Sequence, residues 1–464
     1  MYKKIDKNDI DILKSLVKPG NALIGNEISE DYHKDELGTV KGTPEIVLKV
    51  ENSNEISSIM KYANEKIIPV VVRGSGTGLV GACVPIHGGI IIDMTKMNNI
   101  INIDDKNLVL VVEPGVLVMD IYEYVEKLGY FYAPDPGEKT ATIGGNVATN
   151  AGGMRAVKYG VTRDWVVALE VVLPNGEITQ FGRVVAKNST GYSLKDLVIG
   201  SEGTLAIITK IYLKLAPLPE KSISLLVPFK SAEDAIKSVP LALQSKISPT
   251  AVEYFDRNTI GFAESFLGKK FPETSHDAYI LLTFDGMSDA EIDEKYKQGA
   301  ELFLDKLGAA DVLIVDTQER KADVWSARGA FLEAIKASTT FMDECDVVVP
   351  RDKIAEYINF THELSKKYNV RVPSFGHAGD GNLHIYICKD DLSDEKWNIL
   401  LPQIFDEMYE KADQVGGLVS GEHGIGYAKK EYMLKMLGNT QVNIMKGIKH
   451  SFDPNNILNP GKVV

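Results

Sequence analysis

Cysteine is scarce. The 464 residues hold three, Cys83, Cys345 and Cys388, far apart and with no CxxC spacing, which argues against an iron–sulfur cluster or a zinc-finger-type site built within the chain. No run of about 18 apolar residues occurs, so no stretch reads as a bilayer span. Positive charge is in deficit: 51 Lys and Arg stand against 64 Asp and Glu, a net charge of −13. That balance repels phosphate backbones and anionic lipid, making nucleic acid and membrane surfaces poor partners. An anionic substrate must then meet a local cationic site. The opening MYKKIDKNDIDILKSLV has neither the apolar stretch nor the cleavage site of a signal peptide, and with the scattered cysteines the expected setting is the cytoplasm. Internal repeats and low-complexity tracts are absent too.

What is present is an ordinary globular composition, 44% hydrophobic and 25% charged, in a chain too long for one core. Residues 1–40 suggest an amphipathic helix and an acidic connector. From residue 45 strand and helix signals alternate. EIVLKV is a strand, Ser53 can cap a helix carrying Ile56, Ile59, Met60 and Ala63 on one face, and IPVVV (68–72) is a second strand, together a βαβ unit. IIID (90–93) and LVLVV (108–112) are further strands, and VVALEVVLPNGEITQ (166–180) is a hairpin with Asn175-Gly176 as a two-residue turn. APLPEK (216–221) reads as a linker. Beyond it, strand-like runs at 222–228, 278–283 and 311–315 alternate with helical patterns at 289–307, 351–367 and 394–414. The organisation expected is α+β throughout: a helical segment at 1–40, a first domain at 41–217, a second at 218–419, and a closing segment at 420–464 that packs back on the first.

VVVRGSGTGLVGACVP (70–85) contains GxGxxG at Gly76, Gly78 and Gly81. A Rossmann loop would open a helix at its third glycine. Here Pro85, Gly88 and Gly89 follow at once, and no helix can run there. Consecutive glycines can still turn several backbone N–H groups toward one anion; read alone, the stretch is either that or a plain turn. PDPGEKTATIGGNVATNAGGMRAVKYG (134–160) and GSEGTLAIIT (200–209) repeat the small-residue chemistry, which lets a large flat ligand approach the backbone.

SFGHAGDGNLHIYI (374–387) places His377 and His384 seven residues apart around Gly376, Gly379 and Gly381. They are expected to end and begin adjacent strands of a hairpin whose tight loop aims both rings at one point. Downstream, SGEHGIG (420–426) offers Glu422 and His423. Two imidazoles and a carboxylate with open positions form a catalytic metal pattern. From the residues alone, hydrogen-bonded structural histidines are the competing account, and a metal-dependent hydrolase is a competing function, although HExxH is absent. Arg328, in VWSARGAFLEA, is either a bidentate carboxylate clamp or a surface arginine on a helix.

Taken together, VVRGSGTGLVGACVP, PDPGEKTATIGGNVATNAGG, NSTGYSLKDLVIGSEGTLAIIT, SFGHAGDGNLH and SGEHGIG resemble the FAD-linked oxidases of the vanillyl-alcohol oxidase/p-cresol methylhydroxylase superfamily. The likeness is closest to the branch of D-lactate dehydrogenases, glycolate oxidase D subunits and D-2-hydroxyglutarate dehydrogenases. It implies a two-subdomain FAD-binding domain with an α+β cap domain. It implies pyrophosphate contacts from Arg73, Gly74, Ser75, Gly76, Thr77 and Gly78. Further FAD contacts are implied near Pro134, Thr140, Gly144, Gly145, Asn150, Gly153 and Ile207. With no histidine in the glycine loop, the FAD is expected to be non-covalent. The resemblance also implies one divalent metal (zinc, iron or manganese) on His377, His384 and Glu422, a general base at His423, and a substrate-carboxylate contact at Arg328. The activity implied is oxidation of a D-2-hydroxy acid. Asp343, Glu344 and Asp346, expected near the pocket, would repel a second carboxylate, so D-lactate is favoured over 2-hydroxyglutarate, with glycolate close behind. A flavin electron-transfer subunit is a further alternative. The implied acceptor of electrons is an electron-transfer flavoprotein.

Overall fold

A computed structural model describes residues 2–464. The chain divides into two compact units, one of residues 1–151, 161–218 and 422–464, the other of 152–160 and 219–421.

The first unit holds two larger sheets and a two-stranded one. Strands β1 (Ala22–Leu23), β2 (Ile46–Lys49), β3 (Val70–Arg73) and β4 (Ile90–Asp93) lie in the order β1-β2-β4-β3, with β4 parallel to both neighbours. Between β2 and β3 the helix Ser53–Lys66 crosses over, and it buries Ile56, Ile59, Met60 and Ala63. Its cap is Asn52 and not Ser53: the Asn52 amide oxygen accepts from the N–H groups of Asn54 and Glu55, a reach suited to an N-cap. The next strands are β5 (Ile100–Asp104), β6 (Val109–Val112), β7 (Tyr130–Phe131), β8 (Val166–Val172), β9 (Ile178–Gly182), β10 (Ile207–Lys214) and β11 (Ala216–Pro217). Five of them pair antiparallel in the order β5-β6-β10-β8-β9, and β7 pairs with β11. The β8–β9 turn is one residue longer than the Asn-Gly signal suggests. Leu173 N–H bonds to Glu177 O, leaving Pro174, Asn175 and Gly176 as the loop, with Gly176 at φ +83°. Pro174 has no N–H to continue the ladder, so the turn opens by one residue. The chain's last segment adds to the first sheet: Val70 N–H bonds to Ile457 O, and Asn459 N–H bonds to Val70 O. Leu458 and Ile457 enter the core made by Leu13, Ile46, Leu48, Ile59, Met60 and Ile92.

The second unit is built on one seven-stranded antiparallel sheet. Its strands are β12 (Lys221–Phe229), β13 (Ala251–Asp256), β14 (Ala278–Gly286), β15 (Leu313–Val315), β16 (Met342–Val348), β17 (Ser374–His377) and β18 (Asn382–Cys388), in the order β15-β12-β14-β13-β17-β18-β16. The 216–221 stretch is therefore no free linker, because β11 and β12 both take residues from it. Runs such as ILLTF in β14 are buried nearly throughout, as expected of strands covered on both faces. Side-chain caps start the covering helices: Ser231, Asp256, Ser288, Thr317 and Ser393 each accept an N–H three residues on.

Candidate active site

In the first unit, β3 delivers Arg73 into a helix-free loop that leads to β4. The Arg73 guanidinium is buried and donates through Nη1 to Lys34 O at 2.9 Å and Cys83 Sγ at 3.1 Å. Gly76 closes over it at φ +82°, and a Cβ there would lie 2.0 Å from Arg73 Nη2. The Arg73 side chain thus braces the loop, while Ser75, Thr77 and Gly78 line its outer part, half-buried or exposed. A Cβ on Gly74 would meet Thr142 Oγ1 at 2.2 Å, so the loop packs on the start of helix Ile143–Thr149, where Gly144 and Gly145 sit. Asn150 ends that helix at φ +55° and accepts from Arg163 N–H. The 200–203 turn docks on the same helix, Gly200 N–H to Val147 O and Glu202 N–H to Ala148 O.

The structure therefore brings three of the predicted segments together around one short helix. Ile207 lies in the core at the start of β10, and Pro134 O accepts from Tyr122 Oη. Thr140 is exposed and bonded to Glu138. Gly153 falls in residues 152–160, which group with the second unit. On this helix the buried Asn146 Nδ2, and in the 200–203 turn the buried Ser201 Oγ, meet no partner among the described residues. Buried polar atoms are nearly always satisfied, and two such atoms among glycine-lined backbone fit a polar cofactor such as FAD.

Behind this region lies a pair that sequence reasoning missed. The buried Glu202 carboxylate accepts from Ile425 N–H at 2.7 Å and Gly426 N–H at 2.8 Å. Burial raises its pKa to about 7, although those bonds favour the anion. Lys462 gives its three N–H groups to Ala82 O, Val84 O and Asn459 Oδ1, and burial lowers its pKa to about 8.

In the second unit, sheet register decides the chemistry. Cross-strand pairs are Phe375 with His384, His377 with Asn382, Asp346 with His384, Glu344 with Tyr386, and Phe255 with Phe375. Since alternate residues share a face, Glu253, His377, His384, Glu344 and Asp346 all lie on one side of the sheet. Asp343 alternates to the other side, which removes it from the acids expected around the pocket. His377 ends β17 as expected, whereas His384 is the third residue of β18 and not its first. Gly381 makes the tight return possible: it sits at φ +92°, and a Cβ would lie 2.1 Å from Val349 O.

Both imidazoles are buried, with Nε2 atoms 3.4 Å apart and rings at 89°. His377 Nδ1 meets Glu253 Oε1 at 2.7 Å, and His384 Nδ1 meets Glu344 Oε1 at 3.2 Å. A carboxylate at Nδ1 fixes the tautomer with the proton there, which makes both Nε2 atoms acceptors facing one another. Such a pair is the donor set a divalent cation takes.

Arg328 stands on helix Gln318–Ala337 with its side chain 11% exposed, half-buried and not a surface arginine. Its Nε and Nη2 bond to Glu253 Oε2 at 2.8 and 2.5 Å, and its Cζ lies 4.7 Å from the Phe375 ring centre. Burial alone would raise the Glu253 carboxyl; the His377 imidazole and the Arg328 guanidinium bonded to it hold it down to about 2. Asp346, also buried, accepts from Asn382 Nδ2, Ser420 Oγ and Gly421 N–H. Glu344 and Asp346 are thus engaged structurally. Glu422 and His423 follow Gly421 directly in the chain and are half-buried, with His423 Nε2 3.7 Å from Glu422 Oε1.

Residues 218–463 match the family described as FAD linked oxidases, C-terminal domain, and residues 44–182 match the FAD binding domain. The chain belongs to the FAD-linked oxidases. It is 47% identical to a D-lactate dehydrogenase of Anaerostipes hadrus, covering 100% of this chain and 98% of that one. It is 39% identical to glycolate oxidase subunit GlcD of Bacillus subtilis (strain 168), covering 93% and 91%. Among solved structures, p-cresol methylhydroxylase with substrate bound superposes with TM-score 0.82 at 18% identity, over 100% of this chain and 98% of that one. The fold is that of the vanillyl-alcohol oxidase/p-cresol methylhydroxylase type, and this FAD-linked oxidase is an oxidoreductase with FAD as its cofactor. Among the described residues no helix is long and apolar enough to cross a membrane.

Proposed function

We propose that this FAD-linked oxidase is a D-2-hydroxyacid dehydrogenase whose substrate is D-lactate and whose product is pyruvate. The observation that carries the reading is the buried histidine pair, each ring oriented by its own carboxylate, on the sheet face that also holds Arg328. FAD, when bound, supplies a hydride acceptor; a divalent cation supplies Lewis acidity that lowers the pKa of an α-hydroxyl. His377, His384 and Glu422 would hold that cation, with zinc, iron and manganese all suited to two imidazoles and a carboxylate. Arg328 would bind the substrate carboxylate through the guanidinium edge that Glu253 does not use. His423 would take the hydroxyl proton. The glycine-lined segments around helix Ile143–Thr149 would hold FAD without a covalent tether. D-lactate is preferred over glycolate because the relative named as a D-lactate dehydrogenase shares more of the sequence than the one named for glycolate oxidase.

The test is anaerobic flavin reduction by D-lactate, L-lactate, glycolate and D-2-hydroxyglutarate. D-lactate should bleach the flavin fastest, and acid precipitation should release all of it. Fastest bleaching by D-2-hydroxyglutarate would displace the lactate assignment. His384→Ala should lose the metal while keeping FAD, as read by elemental analysis and absorbance.

A further inference from the structure

Glu253 occupies an unusual place. It is a charged residue at the centre of the apolar strand AVEYFD and has no solvent exposure. The register that pairs Tyr254 with Gly376 sets it across from His377. Its two oxygens do different work. Oε1 takes His377 Nδ1, and Oε2 takes both Nε and Nη2 of Arg328. Phe375 packs against the guanidinium, and Phe331, in ring contact with Phe375, lies beside it. One carboxylate therefore orients two residues of the site, each by the direction of its N–H groups.

We propose that Glu253 is a positioning residue that sets the His377 tautomer and the Arg328 fork together, so that metal affinity and substrate-carboxylate affinity depend on one side chain. This rests on the reading of His377 and Arg328 given above. The chemistry is specific to a carboxylate. Glutamine keeps the size but offers a single acceptor oxygen. If that oxygen faces Arg328, the amide NH₂ faces His377 Nδ1 and forces the proton to Nε2, where it blocks a cation. If it faces His377, the NH₂ opposes the Arg328 donors. Either way one partner is lost. An acid that merely filled space in the sheet would show no such division.

The experiment uses the FAD-loaded protein, stripped of metal with chelator. In ¹⁵N-detected histidine spectra, with the signal assigned by its loss in His377→Gln, wild-type His377 should carry its proton on Nδ1. In Glu253→Gln, either that proton moves to Nε2 or KM for D-lactate, read on enzyme with its metal restored, rises at least tenfold. Where it moves, Co²⁺ binding followed by absorbance should weaken roughly 10–100-fold, the usual worth of a ligand-orienting partner. FAD content should match wild type throughout. A wild-type His377 protonated on Nε2 overturns the assignment, and that measurement needs no variant to fold. An unchanged tautomer, Co²⁺ affinity and KM in Glu253→Gln overturns it as well. If wild type shows the Nδ1–H tautomer yet binds no Co²⁺, the tautomer role of Glu253 stands and the metal reading fails.

Discussion

Two carboxylates show how differently burial acts on single residues. Glu253 is held to about 2 by a guanidinium and an imidazole, while Glu202 has backbone N–H partners and more distant lysines and rises to about 7. A folded pKa above the unfolded 4.5 stabilises the protein most below pH 4.5, and that contribution is lost as pH rises through 7. Wild type should therefore lose stability relative to Glu202→Gln between pH 5 and pH 8, by on the order of 1–3 kcal/mol. Urea unfolding midpoints across that range check it; a difference flat with pH would show that Glu202 is ionised throughout. At His423, replacement by alanine should slow flavin reduction by D-lactate roughly 10²–10⁴-fold, the worth of a positioned proton acceptor. Near-normal stopped-flow reduction would remove it as the base. His377, His384 and Arg328 were visible in the sequence because imidazole and guanidinium in glycine-rich or apolar surroundings are conspicuous. Glu253 was not, since an acid in a strand pattern reads as a solvent-facing residue until the register shows what lies across from it, and Glu344, expected near the pocket, was not recognised as the partner of His384. The lone acid inside AVEYFD was the signal available.

At the scale of elements, what could be read followed the strength of the local signal. The helix at 394–414 and the strand at 90–93 have the bounds their periodicity suggests, because a run of one period with a cap or turn at each end leaves little freedom. The β8–β9 turn was misread, as proline there adjusts the pairing and does not end it, whereas the boundary between the two units does fall within 216–221, with β11 and β12 taking residues from its ends. The β17–β18 hairpin was anticipated in outline, although the depth of His384 within β18 depends on the five-residue spacing between the last residue of one strand and the first of the next. That spacing rests on Gly381. Gly381→Ala would push a methyl into Val349 O from a backbone conformation that L side chains rarely adopt. The expected cost is roughly 1–3 kcal/mol, seen as a lower melting temperature together with weaker metal binding. A variant that melts and binds metal as wild type does would show that the loop can relax without the glycine.

For the molecule as a whole, the remaining question is where two electrons go. The connection 74–89 runs from β3 to β4 without a helix, so it lacks the feature by which a Rossmann loop holds a nicotinamide dinucleotide. The three cysteines lie apart in sequence, and Cys345 and Cys388 are buried, so no iron–sulfur relay is built from them. The net charge of −13 opposes close approach to anionic lipid. A redox protein docking at the flavin domain meets these constraints, and the acceptor expected is an electron-transfer flavoprotein. Attraction between a basic partner and the chain's net charge of −13 should weaken as salt screens it, over a Debye length of about 8 Å at physiological ionic strength. Anaerobic mixing of D-lactate-reduced enzyme with a cognate electron-transfer flavoprotein should bleach the partner's flavin, at a rate that falls as salt is raised. If that flavin stays oxidised while a soluble quinone analogue is reduced quickly, the electrons leave by a quinone and the electron-transfer flavoprotein is not the acceptor.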